Sequence, residues 1–260
     1  MSVPPLVVVH RDAALLAQAA ASRLVTRIVD AQASRGWASI VLTGGSTGTA
    51  VLSALAAAPA RDAVRWDLVD VWWGDERFLP AGDPERNDTQ ARAALLDVLP
   101  FDPARVHAMA ATDGPDGDDI EAAAERYAAD LARVGSAAGG RLPVFDVLML
   151  GVGPDAHVAS LFPGHAGVDE QERTVIAVHG SPKPPPLRLS LTLPAICSAQ
   201  EVWLMTAGAD RAQAVGLALG GAGASQAPAG AVSGRQATVW LLDQAAAAEV
   251  PAELLPIPGR

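Results

Sequence analysis

The sequence predicts a doubly wound α/β fold, a largely parallel sheet with helices on both faces, as a single domain over residues 1–260. Three observations carry this. Short apolar runs alternate regularly with alanine-rich stretches of helical period, the pattern of strand–helix–strand crossovers. Runs such as "FDVLMLG" and "EVWLMTAG" are almost continuously apolar rather than apolar at every second position, as strands buried on both faces are. The chain, with 260 residues and 50% hydrophobic content, is also long enough to bury a sizeable core. Gly- and Pro-rich stretches at 112–118, 135–143 and 220–234 read as surface loops, and none is long enough for a domain linker.

The elements follow in order. "LVVV", Leu6–Val9, is a strand. Asp12 caps a long helix running to about Arg35, its side-chain oxygen meeting the free amides of the first turn. "SIVLTGG" is a strand ending in glycine, with a helix through "TAVLSALAAA" behind it, and "WDLVDVWWG" is the next strand. "NDTQARAALLDVL" has apolar residues at helical spacing, with Asn87 or Asp88 as its cap. "DDIEAAAERYAADLARV" is a helix and "FDVLMLG" a strand, while "TVIAVHG" and "LRLSLTL" are strand-like. "EVWLMTAG" leads into the helix "ADRAQAVGLAL", and "ATVWLLD" is the last strand.

Composition excludes several classes of function. The net charge of −10 argues against a broad nucleic-acid surface, which needs clustered Lys and Arg, but leaves room for a small anionic ligand. The sequence lacks the run of about 18 apolar residues that a membrane span requires. "MSVPPLVVVHRDA" does not read as a signal peptide, so a cytoplasmic protein is expected. The single cysteine, Cys197, rules out an internal disulfide and is expected to be a small buried filler. Histidines do not recur at ligand spacing, so no metal is expected. Nothing in the sequence sets an oligomeric state.

In a sheet of this kind ligands bind beyond the carboxyl ends of the strands. That rule selects "TGGSTG" (43–48), "WGDERF" (73–78) and "GVGPDAH" (151–157), with the loop "HGSPKPPPLR" beside them. "TGGSTG" has three readings. Gly44, Gly45, Ser46 and Thr47 suit a phosphate at a helix N-terminus; Gly44–Gly48 also matches the G-x-S-x-G elbow of serine hydrolases; a plain helix cap is the third. "GVGPDAH" begins like a dinucleotide fingerprint, but Pro163 stops any long helix and Asp155 would face the pyrophosphate. Asp155 and His157 read better as an acid–base pair, the carboxylate fixing the tautomer of the imidazole. Asp75, Glu76 and Arg77 stand at the exit of a buried strand, where mixed charges are either a solvated turn or part of a site. Lys183 is the only lysine among the 19 Lys and Arg residues, in a chain that otherwise uses Arg for every cation.

Together "VLTGGSTG", "VWWGDERFLP…ERND", "LGVGPDAHVASLFPGH" and "SPKPPPLRLSLTLPAI" closely resemble the glucosamine-6-phosphate isomerase/6-phosphogluconolactonase family, in order and over nearly the whole chain. The resemblance implies a doubly wound fold and hydrolysis of 6-phosphoglucono-δ-lactone in the oxidative pentose phosphate pathway, without metal or organic cofactor. The chemistry of lactone hydrolysis agrees: His157 is the best general base, held by Asp155, with Asp75 and Glu76 the next candidates. Arg77, oriented by Asp75, can face developing negative charge or substrate oxygens; Gly45–Thr47, Lys183 and Arg188 can hold the phosphate. The partner expected is therefore a small phosphorylated sugar lactone, with no nucleic acid and no membrane. Two positions depart from the family loop G-x-G-x-D-G-H-T-A-S-L-F-P: Ala156 replaces its Gly and Val158 its Thr. Ala156 implies a position that needs no positive φ. The isomerase branch carries a glutamate five residues after the loop histidine, where this chain has Phe162. A serine esterase built on Ser46 and a non-catalytic sugar-phosphate sensor remain as alternatives.

Overall fold

The computed structural model describes residues 4–137 and 139–255. Six parallel strands form the main sheet: β1 (Leu6–His10), β2 (Ala38–Leu42), β3 (Val69–Trp73), β5 (Val147–Gly151), β8 (Glu201–Thr206) and β9 (Ala237–Asp243), in the order β1-β9-β8-β5-β2-β3. Every residue of β2, β3 and β8 is buried, so the sheet is covered on both faces and its strands are largely apolar.

Helix α1 (Ala13–Arg35) shows how local chemistry sets an element's ends. Asp12 accepts a hydrogen bond from the Leu15 amide at 2.9 Å, and Gly36 closes the helix at φ 87°, donating its N–H to the Gln32 carbonyl. Its buried face runs through Leu16, Ala20, Leu24 and Ile28 and packs with α2 (Gly45–Ala57). The last two loops expected from composition are more ordered than that: α4 (Ile120–Ala137) extends into the second, and a short helix, Pro228–Ala231, forms within the third. Cys197 is only partly buried, and its Sγ accepts from the Ser233 amide.

The strand order reverses between β2 and β5. From β2 the chain crosses to β3 on one side, whereas β5, β8 and β9 advance toward the other edge. A cleft must open above that point, where the loop after β2 begins at Thr43 and the loop after β5 at Val152.

One departure from the expected layout shapes the site. The strand-like segments "TVIAVHG" and "LRLSLTL" do not join the parallel sheet. They form β6 (Val175–Val178) and β7 (Arg188–Leu191), which pair antiparallel with each other and with a three-residue strand, β4 (Asp75–Arg77). The Lys183 loop is thus the turn of a separate hairpin that reaches over the cleft. The helix expected at 87 also starts differently. Arg86 occupies the cap position of α3 (Asn87–Ala91), which continues as a π-helical turn over Arg92–Leu96. Neither Asn87 nor Asp88 caps it. The first amides, those of Asn87 and Asp88, donate instead to the Glu76 carboxylate at 2.7 and 2.8 Å.

Candidate active site

Four strand ends and the hairpin converge on a cleft of about 220 Å³. The β2 end supplies Gly44–Thr47, β3 and β4 supply Asp75 and Arg77, the β5 end supplies Gly153 and His157, and the hairpin supplies Lys183 and Arg188. Of the residues expected at the site, Asp155 and Glu76 do not line the cleft itself; Asp155 contacts His157 beside it.

The β2 loop enters α2 directly. Gly45 takes the left-handed turn at φ 79°, Ser46 and Thr47 are already helical, and Gly44 offers no side-chain cap. The first-turn amides are therefore unclaimed at the positive end of the helix, which is the arrangement that holds an anion. Gly44 must be glycine because a Cβ there would fall 1.8 Å from Asn87 Oδ1. The elbow reading fits poorly. A nucleophile elbow strains the serine itself, whereas here the positive φ belongs to Gly45.

On the β5 loop, the Gly153 amide donates to the His157 carbonyl at 3.0 Å and the Ala156 amide to the Gly153 carbonyl at 2.9 Å, closing a tight turn. His157 Nδ1 lies 2.5 Å from Asp155 Oδ1. With Nδ1 donating to the carboxylate, Nε2 is the nitrogen left free. Burial works against the Asp155 charge, but the hydrogen bond from His157 and the nearby charges of His157 and Lys183 outweigh it and hold the carboxyl well below the usual carboxylate range. Gly153 is glycine for the same reason: a Cβ on it would sit 2.1 Å from the imidazole. That close approach explains the fingerprint-like spacing without a pyrophosphate. Ala156 corrects the sequence expectation, for its φ is 63°, and Ala159 follows at 49°. The turn's own bonds and one from the Ala229 amide to the Ala156 carbonyl (3.0 Å) hold it there, at a steric cost of about 1–2 kcal/mol for a residue with a Cβ.

Strand period explains β4. Side chains alternate, so Asp75 and Arg77 turn to the cleft while Glu76 turns inward, fully buried. Glu76 is thus no candidate base. It accepts from the amides of Arg77, Asn87 and Asp88 and lies 3.6 Å from Arg86, which is 2% exposed. Burial pushes its carboxyl up to about 7, against the pull of Arg86 and the three amides. Contrary to the sequence expectation, Asp75 does not orient Arg77. Arg77 donates to the Glu85 carbonyl, and Asp75 is held by Ser160 Oγ at 2.8 Å and Asn87 Nδ2 at 3.3 Å.

Lys183 Nζ lies 3.2 Å from Asp155 Oδ1 and 3.3 Å from His157 Nδ1. The hairpin turn is held by Arg188, which donates to the carbonyls of Lys183, Pro184 and Pro185 at 3.0–3.2 Å. Burial pulls the Arg188 guanidinium below its ordinary value, with Asp75 opposing and Arg77 adding to the fall.

A family model described as "Glucosamine-6-phosphate isomerases/6-phosphogluconolactonase" matches residues 11–240. The chain belongs to this family. It is 65% identical over 257 residues to a 6-phosphogluconolactonase of Streptomyces coelicolor, covering 98% of both chains. To one of Mycobacterium tuberculosis it is 49% identical over 240 residues, 92% of this chain and 96% of that protein. The crystal structure of a 6-phosphogluconolactonase from Leishmania guyanensis superposes with a TM-score of 0.82 at 25% identity, covering 96% of this chain and all of that one, 100%. Against the family loop, Ala156 keeps the left-handed conformation that a glycine adopts freely, and Phe162 packs its ring 4.7 Å from the His157 ring.

Sequence reasoning missed four residues of the site: Asn87, Ser160, Arg211 and Thr206. Arg211 and Thr206 line the cleft from the end of β8, and the strand-end rule applied to "EVWLMTAG" would have found them. Asn87 and Ser160 act through contacts distant in sequence, which no local pattern reveals.

Proposed function

We propose that this protein hydrolyses 6-phospho-D-glucono-1,5-lactone to 6-phospho-D-gluconate. The observation that carries the reading is the His157–Asp155 pair at 2.5 Å on the wall of a cleft whose other walls are a helix N-terminus and four cations, Arg77, Lys183, Arg188 and Arg211. The names of the relatives at 65% and 49% identity support the same substrate.

The chemistry follows from the groups present. A six-membered lactone is an activated ester, so a positioned base and charge stabilisation suffice. His157 Nε2 takes a proton from water as the oxygen attacks C1. The carbonyl oxygen becomes an oxyanion facing the cleft's cations. The C1–O5 bond then breaks, and the imidazolium returns its proton to the leaving O5. The Gly45–Thr47 amides, with the cations, hold the phosphate. The direct test is to generate the lactone in situ and compare its loss with spontaneous hydrolysis. Among the described residues no three His, Cys, Asp or Glu side chains converge as a metal site, so the activity is expected to survive EDTA. Loss on EDTA with recovery on adding a divalent ion would overturn the metal-free mechanism.

Two further outcomes separate the roles assigned. Lys183 bridges toward Asp155 yet lies on the cleft wall. As a phosphate ligand it makes a charge-assisted contact, so Lys183→Met should lower kcat/KM by about 10- to 150-fold on the phosphorylated lactone and change hydrolysis of unphosphorylated gluconolactone little. Equal losses on both substrates would place Lys183 with the base instead. Phe162 stands where the isomerase branch has its glutamate, and its buried ring cannot carry a proton. No ammonia should be released from glucosamine-6-phosphate; readily measured ammonia would reassign the branch.

A further inference from the structure

Asp75 is the only carboxylate lining the cleft among the described residues, and it is 7% exposed. Its neighbours there are mostly donors: Arg77, Lys183, Arg188, Arg211 and the amides of the β2 loop. Donors match a phosphate and a carbonyl oxygen, both acceptors. A sugar lactone also carries hydroxyl groups at C2, C3 and C4, and a hydroxyl that donates needs an acceptor. Asp75 supplies one. Each of its oxygens accepts one hydrogen bond from the protein, Oδ2 from Ser160 Oγ and Oδ1 from Asn87 Nδ2, so further lone pairs remain on an ionised carboxylate. Both donors are buried, Ser160 at 2% and Asn87 at 3% exposure. Each is also anchored. The Ser160 amide donates to Ser190 Oγ at 3.2 Å, and Asn87 Nδ2 also donates to the Asp75 carbonyl at 2.8 Å. Asn87 further abuts Gly44, joining Asp75 to the phosphate-binding turn.

We propose that Asp75 determines specificity for the sugar, accepting a hydrogen bond from one ring hydroxyl, with Ser160 and Asn87 as the positioning residues that aim it. The proposal rests on the lactonase reading above. It assigns the cleft a division of labour, with cations for the phosphate and lactone oxygen and one buried carboxylate for a hydroxyl.

The test uses the intact protein and four substrates generated in situ: 6-phosphogluconolactone and its 2-, 3- and 4-deoxy analogues. Failure on the parent lactone would count against the lactonase reading and is seen separately. Given activity there, one deoxy analogue should fall by about 10- to 150-fold in kcat/KM, the loss expected for a hydrogen bond to a charged group. The other two should stay within a few-fold. Asp75→Asn should erase most of that difference, lowering the parent substrate toward the sensitive analogue while changing the analogue itself little. Ser160→Ala leaves the carboxylate in place but unaimed, and should shrink the same difference part-way; it serves also if Asp75→Asn folds poorly. Three results would each overturn the proposal: all three analogues turned over like the parent, a discrimination that persists in Asp75→Asn, or a loss in Asp75→Asn that is equal on all four substrates.

Discussion

Arg86→Met is expected to lower the free energy of unfolding by about 3–5 kcal/mol, the range for removing one partner of a buried ion pair. The guanidinium does two things. It neutralises Glu76, 3.6 Å away, and it donates to the carbonyls of Leu79, Met109 and Ala110 at 2.8–3.1 Å. The variant leaves Glu76 buried without its cation and leaves the Met109 and Ala110 carbonyls without their donor, while Leu79 keeps the bond from the Thr112 amide. The loss should also depend on pH. Burial already raises the folded Glu76 carboxyl to about 7 from 4.5, so the stability this group contributes is fully present below the unfolded value and is lost as pH rises through about 7. Without Arg86 the folded value climbs further and the loss continues at higher pH. The destabilisation measured by urea unfolding should therefore be larger at about pH 8 than at about pH 5. A double variant, Glu76→Met with Arg86→Met, removes both charges and should recover part of the deficit at the higher pH. Equal destabilisation at both pH values would show that Arg86 acts only through its carbonyl contacts.

That pair also marks where the sequence stopped being legible. Elements governed by near neighbours could be read: Asp12 caps α1 through a residue three places on, and the apolar runs of β5, β8 and β9 announce a covered sheet. The Asp155–His157 pair was readable for the same reason, since the two residues are two places apart on one turn. Glu76 and Asp75 were not. Their roles depend on β4 being a strand, and a three-residue strand exists only because Ser190 and Leu189, far along the chain, pair with it. Once it is a strand, alternation sends Glu76 to the core and Asp75 to the cleft. Ser160 and Asp75 are 85 residues apart and meet only in the folded protein. Ala156 misled in a different way. Alanine disfavours positive φ, but the three backbone bonds around it outweigh a cost of about 1–2 kcal/mol, so residue type alone did not report the conformation.

The largest effect on turnover is expected from His157. His157→Asn keeps a side chain that can hydrogen-bond near Asp155 but removes the only imidazole lining the cleft among the described residues. General-base catalysis is worth about 10²–10⁴-fold, and kcat should fall by that amount. Binding of the product, 6-phosphogluconate, should stay within a few-fold, because the cations and the Gly45–Thr47 amides proposed to hold the phosphate are untouched. Spontaneous hydrolysis sets a floor that must be subtracted at each pH. Asp155→Asn should cost less. The Asp155 carboxyl is held far below the usual range, so it stays ionised through neutral pH and orients Nδ1 without itself exchanging the proton. An asparagine there leaves the imidazole in place but less firmly fixed in the tautomer that frees Nε2. Order therefore matters more than magnitude: His157→Asn below Asp155→Asn, both in kcat, with product affinity nearly constant. Should His157→Asn keep nearly full kcat, or lose product binding in place of turnover, the turn would be a binding element. The base would then have to be Asp75, since Glu76 faces the core and cannot reach a substrate.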